Sequence, residues 1–323
     1  PGETVAVTIP EGLSGKAVGK VLADRGLVEH ELFFRLAMRL DTTGRPIRHG
    51  YYELPSGLSP LQILNHLQEG TQWRMPPGEV PDELKVTIPE GLTIVQMAAQ
   101  FADPEAFREA AADPQLIARL GLDVPNLEGF LMPNTYYFEE KPDERAVVER
   151  LLSHFEHEYA ELRKELPETA ERDLLEVVTV ASLIEEECRV DEERPLVAAV
   201  IYNRLKAGMP LDLDSTLQYA LGKYGERILN EDKETDSPYN TYRRKGLPPG
   251  PISNPGVACL RAALQPAEED YLFFVSNADG KTHTFSTTMN EHAEAVRRFR
   301  REIAVQRREL RDRETRGEEN DAQ

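Results

Sequence analysis

The chain has 323 residues, 40% hydrophobic and 29% charged, an ordinary globular composition with enough length for two or three domains. Its formal net charge of −19 excludes nucleic acid, which is met by a basic stripe, and gives no basis for binding anionic lipid through the folded body. The two cysteines, Cys188 and Cys259, form no CxxC pair and the histidines are scattered, so neither a metal nor a cofactor is expected.

Residues 4–9 alternate and are β-rich, which predicts a strand. Pro10-Glu11-Gly12 is a turn, and Ser14 caps a predicted helix running to about Arg25, with Val18, Val21 and Leu22 inward. A helix over 29–40, a strand over 50–54 and a helix over 60–68 complete a unit compact enough to be a small domain. Gly70 to Asp82, rich in Pro and Gly, reads as a linker. The segment Val7-Thr8-Ile9-Pro10-Glu11-Gly12-Leu13 then recurs as Val86-Thr87-Ile88-Pro89-Glu90-Gly91-Leu92. With no third copy, this is a repeated strand–turn–helix start and not a solenoid.

Short helices are predicted between Ala102 and Asp123, then an aromatic segment broken by Gly and Pro, Leu127 to Phe138. Lys141-Pro142-Asp143 opens a long helix to about Leu166, and further helices are expected over 173–187 and 194–208. Residues 209–256 form a long, Pro- and Tyr-rich irregular stretch holding one helix, which argues for a functional loop. A helix over 257–264 and a hairpin around Asn277-Ala278-Asp279-Gly280 follow. The final helix begins near Thr288 and dissolves into a polar tail, 315–323, expected to be disordered.

The chain is organised around Thr179 to Glu187. An apolar run (Leu174, Leu175, Val177, Val178, Val180, Ala181, Leu183, Ile184) is hydrophobic almost all round, the mark of a buried helix, and its last turn presents three carboxylates. Glu185 shares a face with Val178 and Ala181, Glu187 with Val180, Leu183 and Ile184, while Glu186 falls on the more polar, solvated side. A carboxyl at the mouth of such a helix is partly desolvated, which raises its pKa and suits it to donate a proton near neutrality. By spacing alone, a plain solvated acidic turn is the competing reading.

Six motifs occur in order. They are Leu127 to Tyr136; Ala181-Ser182-Leu183-Ile184-Glu185-Glu186-Glu187; Val200-Ile201-Tyr202-Asn203-Arg204-Leu205; Met209-Pro210-Leu211 through Asp214-Ser215-Thr216; Ser237 to Tyr242; and Gly246 to Gly256. Together they resemble the YceG-like (MltG) family of endolytic murein transglycosylases over roughly residues 5–305. The resemblance implies an α+β protein with a LysM-like peptidoglycan-binding domain at 1–78, a catalytic domain at 79–305 and a flexible polar tail at 306–323. It implies cleavage of the MurNAc–GlcNAc β-1,4 bond of nascent strands, leaving 1,6-anhydro-MurNAc ends. Partners would be peptidoglycan glycan strands and the synthases that make them. The family is tethered on the extracytoplasmic face by an amino-terminal transmembrane helix that is missing here.

The family's catalytic glutamate carries onto Glu185, with Glu187 the alternative if the helix phase is off by half a turn. Two carboxylates serve an ordinary glycosidase. Here the muramic 6-hydroxyl is an internal nucleophile, so one glutamate can protonate the leaving oxygen and then take the 6-hydroxyl proton. Substrate contacts are expected from Ser182, Glu128, Tyr136, Asp214, Thr216, Tyr239, Asn240, Thr241 and Asn254, set against local readings. Ser182 would bond Glu185, Glu128 would close a turn, and the loop residues would bond within their own loops. Glu186 departs from the family, where that slot is commonly basic, and three adjacent acids repel, so at least one titrates high. A muramidase-type hydrolase on the same fold and a non-catalytic peptidoglycan-binding scaffold are the alternatives.

Overall fold

The structure, a computed structural model, describes residues 4–9, 15–41, 47, 50–69, 84–138 and 141–321. The chain divides into two compact units, Pro1–Asp82 and Glu83–Gln323. The Pro10–Gly12 turn, the Ser14 cap and the Gly70–Asp82 linker lie outside the described residues, as does the 78/79 boundary expected from sequence.

Unit 1 holds β1 (Thr4–Ile9), α1 (Gly15–Asp24), α2 (Glu31–Leu40), β2 (Gly50–Pro55) and α3 (Pro60–Glu69). Its strands pair antiparallel with Val7 opposite Tyr52. Val18 and Leu22 of α1 pack with Val7, Phe34, Tyr52, Ile63 and Leu67 in its core.

Unit 2 opens on the second copy of the repeat. β3 (Lys85–Ile88) is followed by α4 (Ile94–Ala98), α5 (Pro104–Ala111), α6 (Pro114–Ile117), β4 (Asn134–Tyr137) and α7 (Glu144–Glu165). β3 and β4 pair antiparallel with Val86 opposite Tyr136, so each copy sets the Val that opens the repeat against a Tyr. Asp103, Asp113 and Asp143 cap the helices that follow them, the first two with Pro at the first helical position.

Next come α8 (Leu174–Glu187), α9 (Arg194–Ala207), α10 (Asp214–Leu221), α11 (Val257–Leu264), the β5 (Phe273–Ser276) and β6 (His283–Ser286) hairpin, and α12 (Met289–Asp321). Asp173 caps α8, and every residue from Val177 to Ile184 is buried, as the all-round apolar run requires. α8 is the axis of the large core, packed with residues of α7, α9 and α11. Both cysteines are buried and free.

The carboxy-terminal polar segment is helical as far as Asp321. It has no Pro and is mostly Arg, Glu and Leu, strong helix formers that extend a helix already nucleated at Met289.

Candidate active site

α8 ends where the core opens, and its last three side chains go three ways. Glu185 turns toward the start of α11: its Oε2 accepts the Gly256 N–H at 2.8 Å, and Cys259 also bonds it. Burial raises the Glu185 pKa against these bonds, and Glu90 adds to the rise. Arg194, itself bonded to Cys259 at 3.1 Å and paired with Asp191, acts the other way.

Glu186 is exposed and lines a cavity of about 220 Å³ with Gly91, Gln96, Ser215, Tyr219 and Tyr224. Loss of hydration, then the charges of Glu185 and Glu187, push its pKa up to about 7, against a bond from Ser253. Gly91, at φ +77°, brings the repeat's turn against this helix end, where a Cβ would lie 3.4 Å from Glu186 Oε1.

Glu187 is half-buried and accepts a hydrogen bond from the cavity-lining Ser215 hydroxyl at 2.8 Å. Burial raises its pKa; Ser215 and the charge of His283 oppose the rise, and Asp214 adds to it.

Behind the cavity lies a polar knot. Glu128 accepts the Ile94 N–H at 3.0 Å, the Asn254 amide at 2.8 Å and the Tyr219 hydroxyl at 3.5 Å. Asn254 is fully buried: its Oδ1 accepts Gly129 and Leu131 N–H groups, each at 2.9 Å, and its Nδ2 also donates to Leu92 O. Glu128 sits too deep for its charged form, and despite those donors burial raises its pKa to about 8.

Of the residues singled out from sequence, most build the walls. Ser182 is fully buried, donates to Thr179 O and accepts Ile252 N–H at 3.0 Å, so it braces the Pro-rich loop and does not bond Glu185. Thr216, Asn240 and Thr241 are buried and bond within the 213–241 loops, Asn240 to Lys233 O and Thr235 O. Tyr136 is buried with its hydroxyl on Met132 O and His154. These side chains are bonded inward because a loop stretch poor in ladders must satisfy its own polar groups. Asp214 stays exposed beside Tyr242, whose hydroxyl it accepts at 2.6 Å. Tyr239 packs on Tyr219 with ring centroids 4.9 Å apart.

Sequence reading missed Gln96, Gln218, Tyr219 and Tyr224 as cavity residues. The available signal was helical spacing: Ser215, Gln218 and Tyr219 recur at i, i+3 and i+4 along α10.

The fold and site define an α+β protein in which a buried helix delivers acidic side chains of raised pKa to a tyrosine-lined cavity. The YceG-like family profile matches residues 7–298, and the chain belongs to that family. It is 32% identical over 321 residues to the endolytic murein transglycosylase of Bacillus subtilis, spanning 92% of this chain and 85% of that protein. It is 30% identical to the protein of that name from Streptococcus pneumoniae strain D39, spanning 89% of this chain and 57% of that longer one. The crystal structure of a YceG-like protein from Listeria monocytogenes superposes with a TM-score of 0.60 at 30% identity, covering 91% of this chain and 99% of that one.

Proposed function

We propose that this chain is an endolytic transglycosylase of peptidoglycan, cutting the MurNAc–GlcNAc bond within nascent strands and leaving 1,6-anhydro-MurNAc ends. Unit 1 serves as its LysM-like glycan-binding module, and the whole acts on the extracytoplasmic face of the membrane beside the synthases. The acid/base in this reading is Glu187, half a turn on from the Glu185 that the motif first suggested. The observation that carries the reading is a half-buried carboxyl group whose pKa burial raises, bonded to a hydroxyl that lines the cavity.

Three arguments favour Glu187. Glu185 Oε2 is held by the N–H of Gly256, the residue that caps α11, and a helix start favours the anion. Glu186 occupies a slot where the family commonly carries a base, so it does not supply a reaction shared across the family. Burial is the chief cause that raises the Glu187 pKa, and its partner Ser215 is a rotatable hydroxyl, which suits this carboxyl to proton transfer. It donates this proton to the glycosidic oxygen as the bond breaks. It then takes the proton of the muramic 6-hydroxyl as that oxygen closes on the anomeric carbon, and no water enters. Tyr219 and Tyr239 offer ring faces for stacking a pyranose.

The test is release of ends from purified glycan strands, read by mass. Glu187→Gln should lower the rate about 100-fold or more, and Glu185→Gln should retain most of it. Wild-type rates from a folded Glu187→Gln protein would overturn the assignment. One observation favours a second reading: Glu186, titrating near 7 and facing the cavity, is placed to activate a water. A muramidase would then leave ends one water heavier, and Glu186→Gln would abolish them.

A further inference from the structure

We propose that Gln96 and Gln218 select the 2-acetamido group of the sugar seated in the cavity: Gln96 Nε2 donates to its C=O and Gln218 Oε1 accepts its N–H. The inference deepens the reading above and rests on the glycan strand lying in this cavity.

The two glutamines line one cavity from different elements, Gln96 from α4 and Gln218 from α10. Each is pinned by one end of its amide. Gln96 Oε1 accepts the Thr93 N–H at 2.9 Å, closing the capping box that starts α4. Gln218 Nε2 donates to Glu226 O at 2.6 Å. These partners settle which amide atom is which, because a backbone N–H only donates and a carbonyl oxygen only accepts. The remaining atoms are then fixed as well. Gln96 keeps Nε2 as a donor and Gln218 keeps Oε1 as an acceptor, neither of them bonded among the described residues. The loop after α10 ties the pair together: Glu226 takes the Gln218 amide, and Tyr224 bonds Thr93 beside Gln96.

Other polar groups of the cavity are engaged. The Ser215 hydroxyl goes to Glu187, the Tyr219 hydroxyl to Glu128, and Glu186 takes a bond from Ser253. A ligand that leaves neither amide atom unpaired brings one acceptor and one donor. A trans secondary amide has one of each and sends them in opposite directions. Peptidoglycan offers that chemistry in two places, the acetamido groups of its sugars and the amides of its peptides. The cavity favours the sugar. Its volume of about 220 Å³ is below the roughly 300–1,000 Å³ of pockets that enclose a whole drug-sized ligand, so it takes one ring and not a peptide. Glu186 in its wall repels the carboxylates that peptides carry and tolerates a neutral acetamido group.

The experiment measures binding to the full chain of two neutral β-1,4-linked trisaccharides, triacetylchitotriose and cellotriose, which differ in carrying an acetamido group or a hydroxyl at C2. The wild type should bind the acetylated sugar about 10-fold more tightly or better. Gln96→Met and Gln218→Met keep the length of the side chain and remove its amide. Each should weaken triacetylchitotriose about 5- to 10-fold, the worth of one neutral hydrogen bond, and leave cellotriose where it was. Loss of the α4 cap or of the Glu226 contact would weaken both sugars alike, so a structural effect does not imitate the expected result. If Gln96→Met fails to fold, Gln218→Met carries the test. Equal affinities in the wild type, no binding of either sugar, or variants that weaken both together would overturn the proposal. So would a sugar-free stem peptide that binds with the same dependence on both glutamines, since the amide recognised would then be the peptide's. Neither trisaccharide contains muramic acid, so the transglycosylase reading fails separately, as wild-type protein that releases no anhydro ends from glycan strands.

Discussion

At the scale of single residues, burial sets the chemistry more than charge type does. Glu128 is 7% exposed and accepts three donors, yet its carboxyl has a pKa of about 8 against an ordinary 4.5. Its folded pKa lies above the unfolded one, so its contribution is complete below pH 4.5 and is lost as pH rises through 8. Urea midpoints should therefore fall between pH 5 and pH 8.5 in the wild type and fall less in Glu128→Gln; equal slopes would refute the burial argument. The same burial explains what sequence concealed. Ser182, Thr216, Asn240, Thr241 and Asn254 are residue types able to grip a sugar, and they lie in the right motifs. A motif gives a side chain's capacity for hydrogen bonding and not its direction, and here each is spent on the protein's own backbone. The acidic turn of α8 was legible because apolar periodicity fixes which helix is buried and where it ends. Which of its three carboxylates meets the cavity depended on partners 28 or more residues away in sequence, which no local pattern encodes.

At the scale of elements, the candidate site is a helix end clasped by three chain turns. Gly91 of the repeat donates to Asn254 O at 3.1 Å, Ser182 of α8 accepts Ile252 N–H, and Asn254 takes the two N–H groups of the Gly129–Leu131 turn. Gly129 shows how close the approach is. At φ +89°, a Cβ there would meet Pro251 at 2.5 Å and Val178 at 2.8 Å, so backbone strain and overlap act together. Gly129→Ala should cost about 3 kcal/mol by chemical denaturation and lose activity before it loses fold; an unaffected enzyme would show that the clasp is slack. Removing the keystone leaves two buried N–H groups without acceptors, so Asn254→Ala should cost about 3 kcal/mol as well. Element boundaries were readable where capping chemistry marked them, as at Asp143, Asp173 and Gly208. They were not at the carboxy terminus, where a charged sequence without Pro carries on as helix through Gly317 to Asp321.

At the scale of the molecule, the two units are built on separate cores. Every buried hydrophobic residue of the smaller cluster falls between Val7 and Leu67, and every one of the larger between Ile88 and Leu264. The echo at Val7 and Val86 gives both units the same opening, a strand in which the repeat's Val faces a Tyr across the ladder, yet each copy is completed by its own helices. Two cores with separate membership unfold as separate cooperative transitions unless an interface couples them. Calorimetry of the whole chain should therefore show two transitions. Val180 is fully buried in α8, so Val180→Ala removes two methyls from the large core alone and should cost about 2 kcal/mol. In a unit of this size that is a fall of about 5 °C in one transition. Phe34 is fully buried in the small core, and Phe34→Ala should lower the other transition and leave the first unmoved. A single transition that both substitutions displace would mean that the units fold as one, and the small core would then depend on the large one despite sharing none of its residues.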